Sequence, residues 1–184
     1  MLNKILMIVT MTLLCFSSVW AATCHSERLV SSTPTSRFIS TDITVTDTQT
    51  TLLWMRCAVG QEWIDNTCKG KAQTLDWQHA MAIVDKVNAE GLGGYHDWRM
   101  PMVPELASIV ERQCFNPRMN IEVFPGPPSK VFWSSMEKMG TKNFAYTLDF
   151  GGGAAMASNK EKLGAVRLVR GGPWWQPPAV MSQR

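Results

Sequence analysis

Two hydrophobic periodicities follow one another along this chain, and their order limits its fold more than any other feature. Short runs rich in β-branched and aromatic residues occupy residues 38–56 and 131–170. Between these runs, apolar residues recur at helical spacing over 74–88 and again over 105–113. Strands, then two helices, then strands predict an α+β domain with an antiparallel sheet rather than a doubly wound parallel fold.

Turn-forming residues set the expected bounds of the strands. The first region is predicted to form two strands joined by a turn at Asp47–Thr50. Three later strands are predicted over residues 131–135, over 144–150 with a period of two, and over 166–170.

Capping residues set the expected bounds of the two helices. Thr74 is predicted to cap the first helix and Gly91 to end it. Pro104 is predicted to open the second helix, which would run from Glu105 to Gln113.

The first 21 residues have the pattern of a secretory signal peptide. Lys4 supplies a positive charge, residues 5–16 form an apolar run, and Val19 and Ala21 suit a cleavage site after Ala21. The run is too short for a membrane span, and no other stretch reaches about 18 apolar residues. We therefore expect an exported protein, periplasmic or extracellular at the cell surface, without a membrane span after cleavage.

Four cysteines follow this segment: Cys24, Cys57, Cys68 and Cys114. An even number in an exported chain indicates two disulfides, and three pairings are open. Cys57 and Cys68 enclose a short loop rich in turn-forming residues, which favours their pairing and leaves Cys24 for Cys114. The competing interpretation is a metal site, but no C-x-x-C or H-x-x-x-H spacing supports it.

Charge and composition restrict the function and divide the chain. The formal net charge is +3 and no long basic run accompanies it, so the sequence does not predict a nucleic-acid-binding protein. The exported part is expected to contain a flexible polar lead (22–37), one domain (38–172) and a tail rich in proline and tryptophan (173–184).

A series of short motifs runs through the domain in a fixed order. The motifs are Cys57-x-x-Gly60-Gln61-x-Trp63 with Cys68-x-Gly70, Trp77-x-x-Ala80, Asp97-Trp98-Arg99-Met100-Pro101 with Glu105-Leu106, Asn116-Pro117, Phe124-Pro125, Phe132-Trp133-Ser134-Ser135, Asp149-Phe150 with Gly153, and Val166-Arg167-Leu168-Val169-Arg170. This series, from about Val45 to Gly172, resembles the Lcl C-terminal domain family, which is named after a collagen-like surface adhesin.

The resemblance implies an exported domain, because the family's named member attaches bacteria to surfaces and binds sulfated glycosaminoglycans through this domain. The chain departs from the family pattern at Met102, where a threonine usually begins the second helix, so we expect a weakened cap. It departs again at Thr50-Thr51, where the family has Thr-Gly, which predicts a different turn in the first hairpin.

The order of helix, glycine loop, short strand, second helix and tryptophan-containing strand is also similar to the C-type lectin-like fold. Arg99-Met100-Pro101 and Arg170-Gly171-Gly172-Pro173-Trp174 look like degenerate motifs of formylglycine-generating enzymes, which share that fold. Those enzymes use a late cysteine pair, whereas Cys114 is the last cysteine here. The similarity implies a disulfide-stabilised C-type lectin-like architecture without that chemistry.

We expect no enzymatic activity. The sequence has no G-x-S-x-G elbow, no phosphate-binding loop and no constellation of metal ligands. The calcium motifs of lectins are absent as well, and Arg118 would repel a cation from the Asn116-Pro117 loop. Catalytic residues, metal ligands and cofactors are therefore all predicted to be absent.

Several motif residues are expected to support the fold rather than to form a site. Trp98 is predicted to lie in the core, and Arg99 to pair with a buried carboxylate such as Glu105 or Asp149. The residues with this structural role are Trp77, Trp98, Arg99, Pro101, Glu105, Trp133, Asp149, Arg167 and Arg170.

Lysines beside turns and aromatic residues are the candidates for a binding surface. These candidates are Trp63, Lys69, Lys71, Lys130, Lys142, Trp174 and Trp175. Such lysines are often only solvated, and the adjacent tryptophans can pack back onto the domain. The sequence nevertheless predicts a non-enzymatic binding and adhesion module for an anionic glycan or a surface protein. The alternative is a structural subunit of a surface appendage or secretion apparatus.

Overall fold

The computed structural model describes residues 23–25, 27 and 29–172. The predicted signal peptide (1–21) and the predicted tail (173–184), with Trp174 and Trp175, lie outside the described residues. Among the helices that the structure describes, none is long and apolar enough to cross a membrane.

The strands form two main sheets and two small ribbons. They are β1 (Thr23–Cys24), β2 (Phe38–Ser40), β3 (Thr44–Asp47), β4 (Leu53–Met55), β5 (Glu62–Ile64), β6 (Thr67–Lys69), β7 (Thr74–Leu75), β8 (Cys114–Phe115), β9 (Val131–Glu137), β10 (Phe144–Asp149), β11 (Ala155–Asn159), β12 (Gly164–Ala165) and β13 (Val169–Arg170). The main sheets have the orders β11-β10-β9-β12-β7 and β13-β4-β3-β2, and the ribbons are β1-β8 and β5-β6. Only the β9-β12 pair is parallel among these, so the predicted α+β class is confirmed.

The longer helix, α1 (Trp77–Glu90), lies close to its predicted position. It ends at Gly91, as predicted, because this glycine adopts the left-handed φ of 68° that closes the last turn. Its N-cap is Asp76 rather than the predicted Thr74, since Thr74 is paired with Ala165 in the sheet. The Asp76 carboxylate accepts the His79 N–H at 2.9 Å.

The cap of α1 gives a first testable prediction. Replacing Asp76 with alanine leaves the His79 N–H without its acceptor and removes a negative charge from the positive end of the helix dipole. We expect the midpoint of thermal unfolding to fall by about 3 °C. Asp85→Ala, an exposed change on the same helix, is the matched control. An equal shift in both variants would refute the capping role.

The second helix, α2 (Val103–Ser108), is shorter than the predicted Glu105–Gln113. The Met102 side chain makes no cap bond, as expected, but the Glu105 carboxylate accepts the Met102 N–H at 2.8 Å and keeps half of the capping box. The helix stops early because the following main chain bonds to the lead. The Val110 carbonyl accepts from the Ser32 hydroxyl at 2.8 Å, and the Arg112 N–H donates to that hydroxyl at 2.9 Å.

Three strand predictions need correction. The first region forms three strands, since the chain turns between β2 and β3 as well as at the predicted turn. At that predicted turn Thr51 has a φ of 61°, a conformation that suits the glycine of the family pattern better than a β-branched residue. Of the predicted last strand (166–170), only β13 (Val169–Arg170) is a strand, whereas β12 lies before the predicted range and β11 was not predicted at all. Residues 164–169 are all buried, which removes the alternation that the prediction used.

The core has two parts, each covered by one helix. Ala80 and Val84 of α1 pack with Trp98 and Trp133. Leu106 of α2 belongs to the other part, which also contains Trp54, Phe132 and Phe150. The disulfides are Cys57–Cys68 and Cys24–Cys114, so both predicted pairs are confirmed. The second pair joins the start of the described chain to the segment after α2.

Candidate functional site

The β5-β6 ribbon contains two of the predicted binding residues, and a third lies close behind it in the sequence. Trp63 lies opposite Cys68 and Glu62 opposite Lys69 in the antiparallel register, and Lys71 follows directly after the ribbon. The Cys57–Cys68 disulfide ties the middle of β6 to the segment that precedes β5. Because successive residue pairs alternate between the two faces of a ribbon, the Trp63 and Lys69 side chains lie on opposite faces, and Lys71 lies beyond the end of β6. We call residues 57–71 the disulfide hairpin.

One face of Trp63 is already occupied. The Arg56 guanidinium carbon lies 4.2 Å from the Trp63 ring centroid, a cation–π contact. Arg56 also donates to the main-chain carbonyls of Val123 and Thr41, each at 2.9 Å, and burial lowers its pKa. Sequence reasoning missed Arg56, although a cation beside the Cys57 motif was visible in the sequence. Trp63 can therefore offer a ligand only its remaining face.

The charges of the disulfide hairpin largely cancel. The Lys69 ammonium pairs with the Asp65 carboxylate at 2.5 Å, and Glu62 lies across the strand from it. A polyanion that approaches Lys69 also meets these two carboxylates. Lys71 is exposed, and the described residues give it no ion pair. Of the two lysines in this hairpin, Lys71 is thus the better anion contact.

The other two predicted lysines do not converge. Lys130 immediately precedes β9, and Lys142 lies in the turn between β9 and β10. A strand of seven residues separates them, which corresponds to roughly 20 Å. In the structure, the predicted lysines therefore lie apart from one another and do not form one cluster.

Arg99 pairs with Glu105 rather than with Asp149. Its two terminal nitrogens donate to the Glu105 carboxylate at 2.7 and 2.6 Å, and Glu105 is fully buried. Arg99 also donates to the Gly171 carbonyl at 2.9 Å and so holds the end of the described chain. Asp149 instead accepts the N–H groups of Gly151 at 2.8 Å and Gly152 at 3.1 Å.

The other motif residues make contacts expected of structural side chains. The indole N–H of Trp77 donates to Ser134, that of Trp98 to Leu92 and that of Trp133 to Leu75, each to a main-chain carbonyl within 2.9 Å. Pro101 is buried, and its carbonyl accepts the Ser135 N–H at 2.8 Å. Arg167 is fully buried.

Arg170 contacts two residues of the segment between α1 and Trp98. It makes two bonds to Asp97, at 2.7 and 2.9 Å, and its guanidinium lies 3.9 Å from the Tyr95 ring centroid. The hydrogen bond from Arg170 lowers the pKa of Asp97. In the part of the chain that the structure describes, no group of three His, Cys, Asp or Glu residues is placed to hold a metal ion.

The family model of the Lcl C-terminal domain matches residues 43–170, well over half of the chain. The chain belongs to the Lcl C-terminal domain family. The Lcl domain here contains both helices and every strand of the two main sheets except β2. It encloses the Cys57–Cys68 pair, whereas Cys24 lies outside it, so the second disulfide ties an N-terminal extension to the domain. Among curated proteins there is no match to the chain.

Proposed function

We propose that this Lcl domain is an exported, non-enzymatic binding module that attaches to an anionic glycan or to a surface partner. The observation that carries the proposal is the family match over residues 43–170, because it indicates a surface module of the adhesin type. Two disulfides are compatible with export, since such bonds persist in oxidising compartments.

A C-type lectin-like architecture is part of this proposal. The order of α1, a glycine-rich turn at 91–94, the extended Trp98–Pro101 segment, α2 and the Trp133 strand supports it. Comparison of an experimental structure with lectin-like domains would test the assignment, and a different strand order would refute it.

Binding to an anionic glycan would rest on scattered cations. Among the described lysines, ion pairs involve Lys69, Lys86 and Lys160, which leaves Lys71, Lys130 and Lys142 as the better contacts of the predicted set. Each exposed contact contributes about 1 kcal/mol or less, so one domain would bind weakly and several together would bind more firmly.

The disulfide hairpin allows a matched test of this function. We expect the mature protein to bind sulfated glycans on an array and to lose binding when the salt concentration is raised. Lys71→Ala is expected to weaken binding by about threefold, and Lys69→Ala by less, because Asp65 already offsets the Lys69 charge. If even an artificially multimerised form binds no charged glycan, the glycan proposal is wrong.

The second candidate is a structural subunit of a surface appendage, with the Trp174-Trp175 tail as its docking segment. It is favoured by the bond between Arg99 and the Gly171 carbonyl, which fixes the point where the tail begins. A pull-down that recovers an assembly partner, and loses it on truncation after Gly172, would support this candidate over glycan binding.

A further inference from the structure

The side chain of Arg118 lies in a narrow slot between an aromatic ring and a glycine. Its guanidinium carbon is 4.1 Å from the Phe115 ring centroid. A Cβ atom placed on Gly153 would lie 2.7 Å from the Arg118 Cδ, closer than such atoms approach. Gly153 also has a φ of 78°, which other residues rarely adopt. Both features favour glycine at position 153, where it leaves room for the flat side chain of Arg118.

The main chain holds Arg118 from two sides. Its N–H donates to the Phe150 carbonyl at 2.6 Å, and its carbonyl accepts the Glu111 N–H at 3.1 Å. With the slot, these bonds fix both the backbone and the stem of the side chain. A cation that is fixed before a ligand arrives loses less conformational entropy on binding.

The guanidinium of Arg118 has no acidic partner among the described residues, in contrast to most of the partly buried arginines. Its Nε is buried without a hydrogen-bond partner in the described part of the chain. Arg37, Arg99 and Arg170 each pair with a carboxylate. Asp149, the acid that precedes the Gly151–Gly153 loop, is bonded to that loop instead. A partly buried cation without a counter-ion pays a desolvation cost that a bound anion would offset.

A second cation and an exposed aromatic surface lie beside the slot. The Phe150 N–H donates to the Lys130 carbonyl at 3.0 Å, so the main chains of Lys130, Phe150 and Arg118 lie side by side. The two hydrogen bonds of Phe150 keep the main chains of Lys130 and Arg118 within roughly 10 Å of each other. Phe115 is 39% exposed, which leaves apolar surface next to the cation.

We infer that Arg118 and Phe115 form an oxyanion-binding subsite for an acidic sugar, with Lys130 as a neighbouring charge. The inference rests on the proposed glycan-binding function and names its contact residues. The terminal nitrogens of the guanidinium bind the oxyanion, and the exposed part of Phe115 covers apolar C–H groups of the sugar. A uronic-acid carboxylate and a sulfate ester both offer paired oxygens of this kind, so the experiment separates these two sources.

The direct test follows the Arg118 Nε–H signal by NMR. Glucuronate and inorganic sulfate are added separately to the whole mature protein, with sodium chloride adjusted to hold the ionic strength constant. Arg118→Gln assigns the signal, which should disappear in that variant. We expect a saturable shift of this signal with at least one of the two probes, and the more effective probe identifies the preferred oxyanion. Equal, non-saturating shifts of all arginine signals would mean that the subsite does not exist.

The second test measures binding to immobilised dextran sulfate and alginate, which carry only sulfates and only carboxylates. Arg118→Gln is expected to weaken binding about tenfold. Arg112→Gln removes the same charge from an exposed position nearby and is expected to change binding by less than about twofold. Phe115→Leu, which keeps apolar volume without the ring, should give an intermediate loss.

The two experiments distinguish an error in the subsite from an error in the proposed function. If wild-type protein binds a polysaccharide and Arg118→Gln binds it equally well, the subsite is wrong while the function stands. If the NMR shift saturates but neither polysaccharide binds, the subsite stands and the proposed function fails. Circular dichroism and thermal unfolding of each variant exclude loss of fold as the cause.

Discussion

Replacing Arg167 with alanine is expected to lower the free energy of unfolding by about 4 kcal/mol, measured by urea denaturation. Arg167 is fully buried, and its Nη1 donates to the main-chain carbonyls of Met55, at 2.8 Å, and Arg56. Its guanidinium carbon also lies 4.9 Å from the Phe124 ring centroid and 5.8 Å from that of Phe132. Alanine leaves two carbonyls without a donor and opens a cavity between the rings.

Two further variants separate the effect of the Arg167 charge from the effect of its volume and provide a control at an exposed position. Burial lowers the pKa of the guanidinium, and no carboxylate pairs with it among the described residues. Arg167→Met fills most of the volume without the charge, so it should cost about half as much as the alanine change. Arg112→Ala, at an exposed position, should stay within about 0.5 kcal/mol of wild type. A loss below about 1 kcal/mol for Arg167→Ala would contradict the structural role.

Replacing Glu111 with glutamine is expected to cost about 3 kcal/mol at neutral pH and to loosen the N-terminal lead. Glu111 is only 2% exposed. Its carboxylate accepts the Ser31 hydroxyl at 2.6 Å, and the Thr33 hydroxyl and N–H at 2.8 and 3.0 Å. Glutamine offers a single acceptor oxygen and turns an NH₂ group towards these donors. Faster amide exchange at residues 31–33 would report the release of the lead.

The same carboxylate predicts how stability depends on pH. Burial alone would raise the pKa of Glu111, but hydrogen bonds from Gln113, Ser31 and Thr33 outweigh it and lower the pKa from 4.5 to about 2. A lowered pKa in the folded state means that this stabilisation is complete above pH 4.5 and is lost as the pH falls towards 2.

The difference between wild type and Glu111→Gln isolates this carboxylate from the other acids. We expect the difference in free energy of unfolding to grow between about pH 2 and pH 5 and then to stay constant. A difference that does not change over this range would show that Glu111 does not supply the effect.

Local patterns predicted the features that depend on neighbouring residues. The helix that ends at Gly91 needs only helical spacing and a left-handed terminator, and both are visible in the sequence. The Cys57–Cys68 pair follows from a short loop. The Arg99–Glu105 pair could also be anticipated, because the two residues lie six positions apart around a proline turn.

Features that depend on distant residues were missed. The early end of α2 requires knowing that Ser32 bonds to Val110, far away in the sequence. The last strand was predicted too long because residues 164–169 are all buried, so the apparent alternation there does not mark a strand with one exposed face. The binding lysines were chosen by their closeness to turns, but convergence is a tertiary property, and β9 separates Lys130 from Lys142. For Arg118 the sequence indicated only that its charge would disfavour calcium binding. Its packing between Phe115 and Gly153 depends on the tertiary structure and is not visible in the local sequence.

The Cys24–Cys114 bond also decides how the molecule responds to a pulling force between its two ends, as on a tethered surface module. Tension applied at residue 23 passes through the covalent sulfur bridge to Cys114 and does not enter the loop between the cysteines, which lie 90 positions apart in the sequence. The disulfide hairpin, α1 and α2 all lie within that shielded loop. Of the described residues, only the segment from Phe115 to Gly172 can be drawn out, and this load-bearing segment contains Arg118, Lys130 and the strands β9, β10 and β11. If the Cys24–Cys114 bond is reduced, the pulling force therefore acts on the whole domain, including the loop that the bond shields.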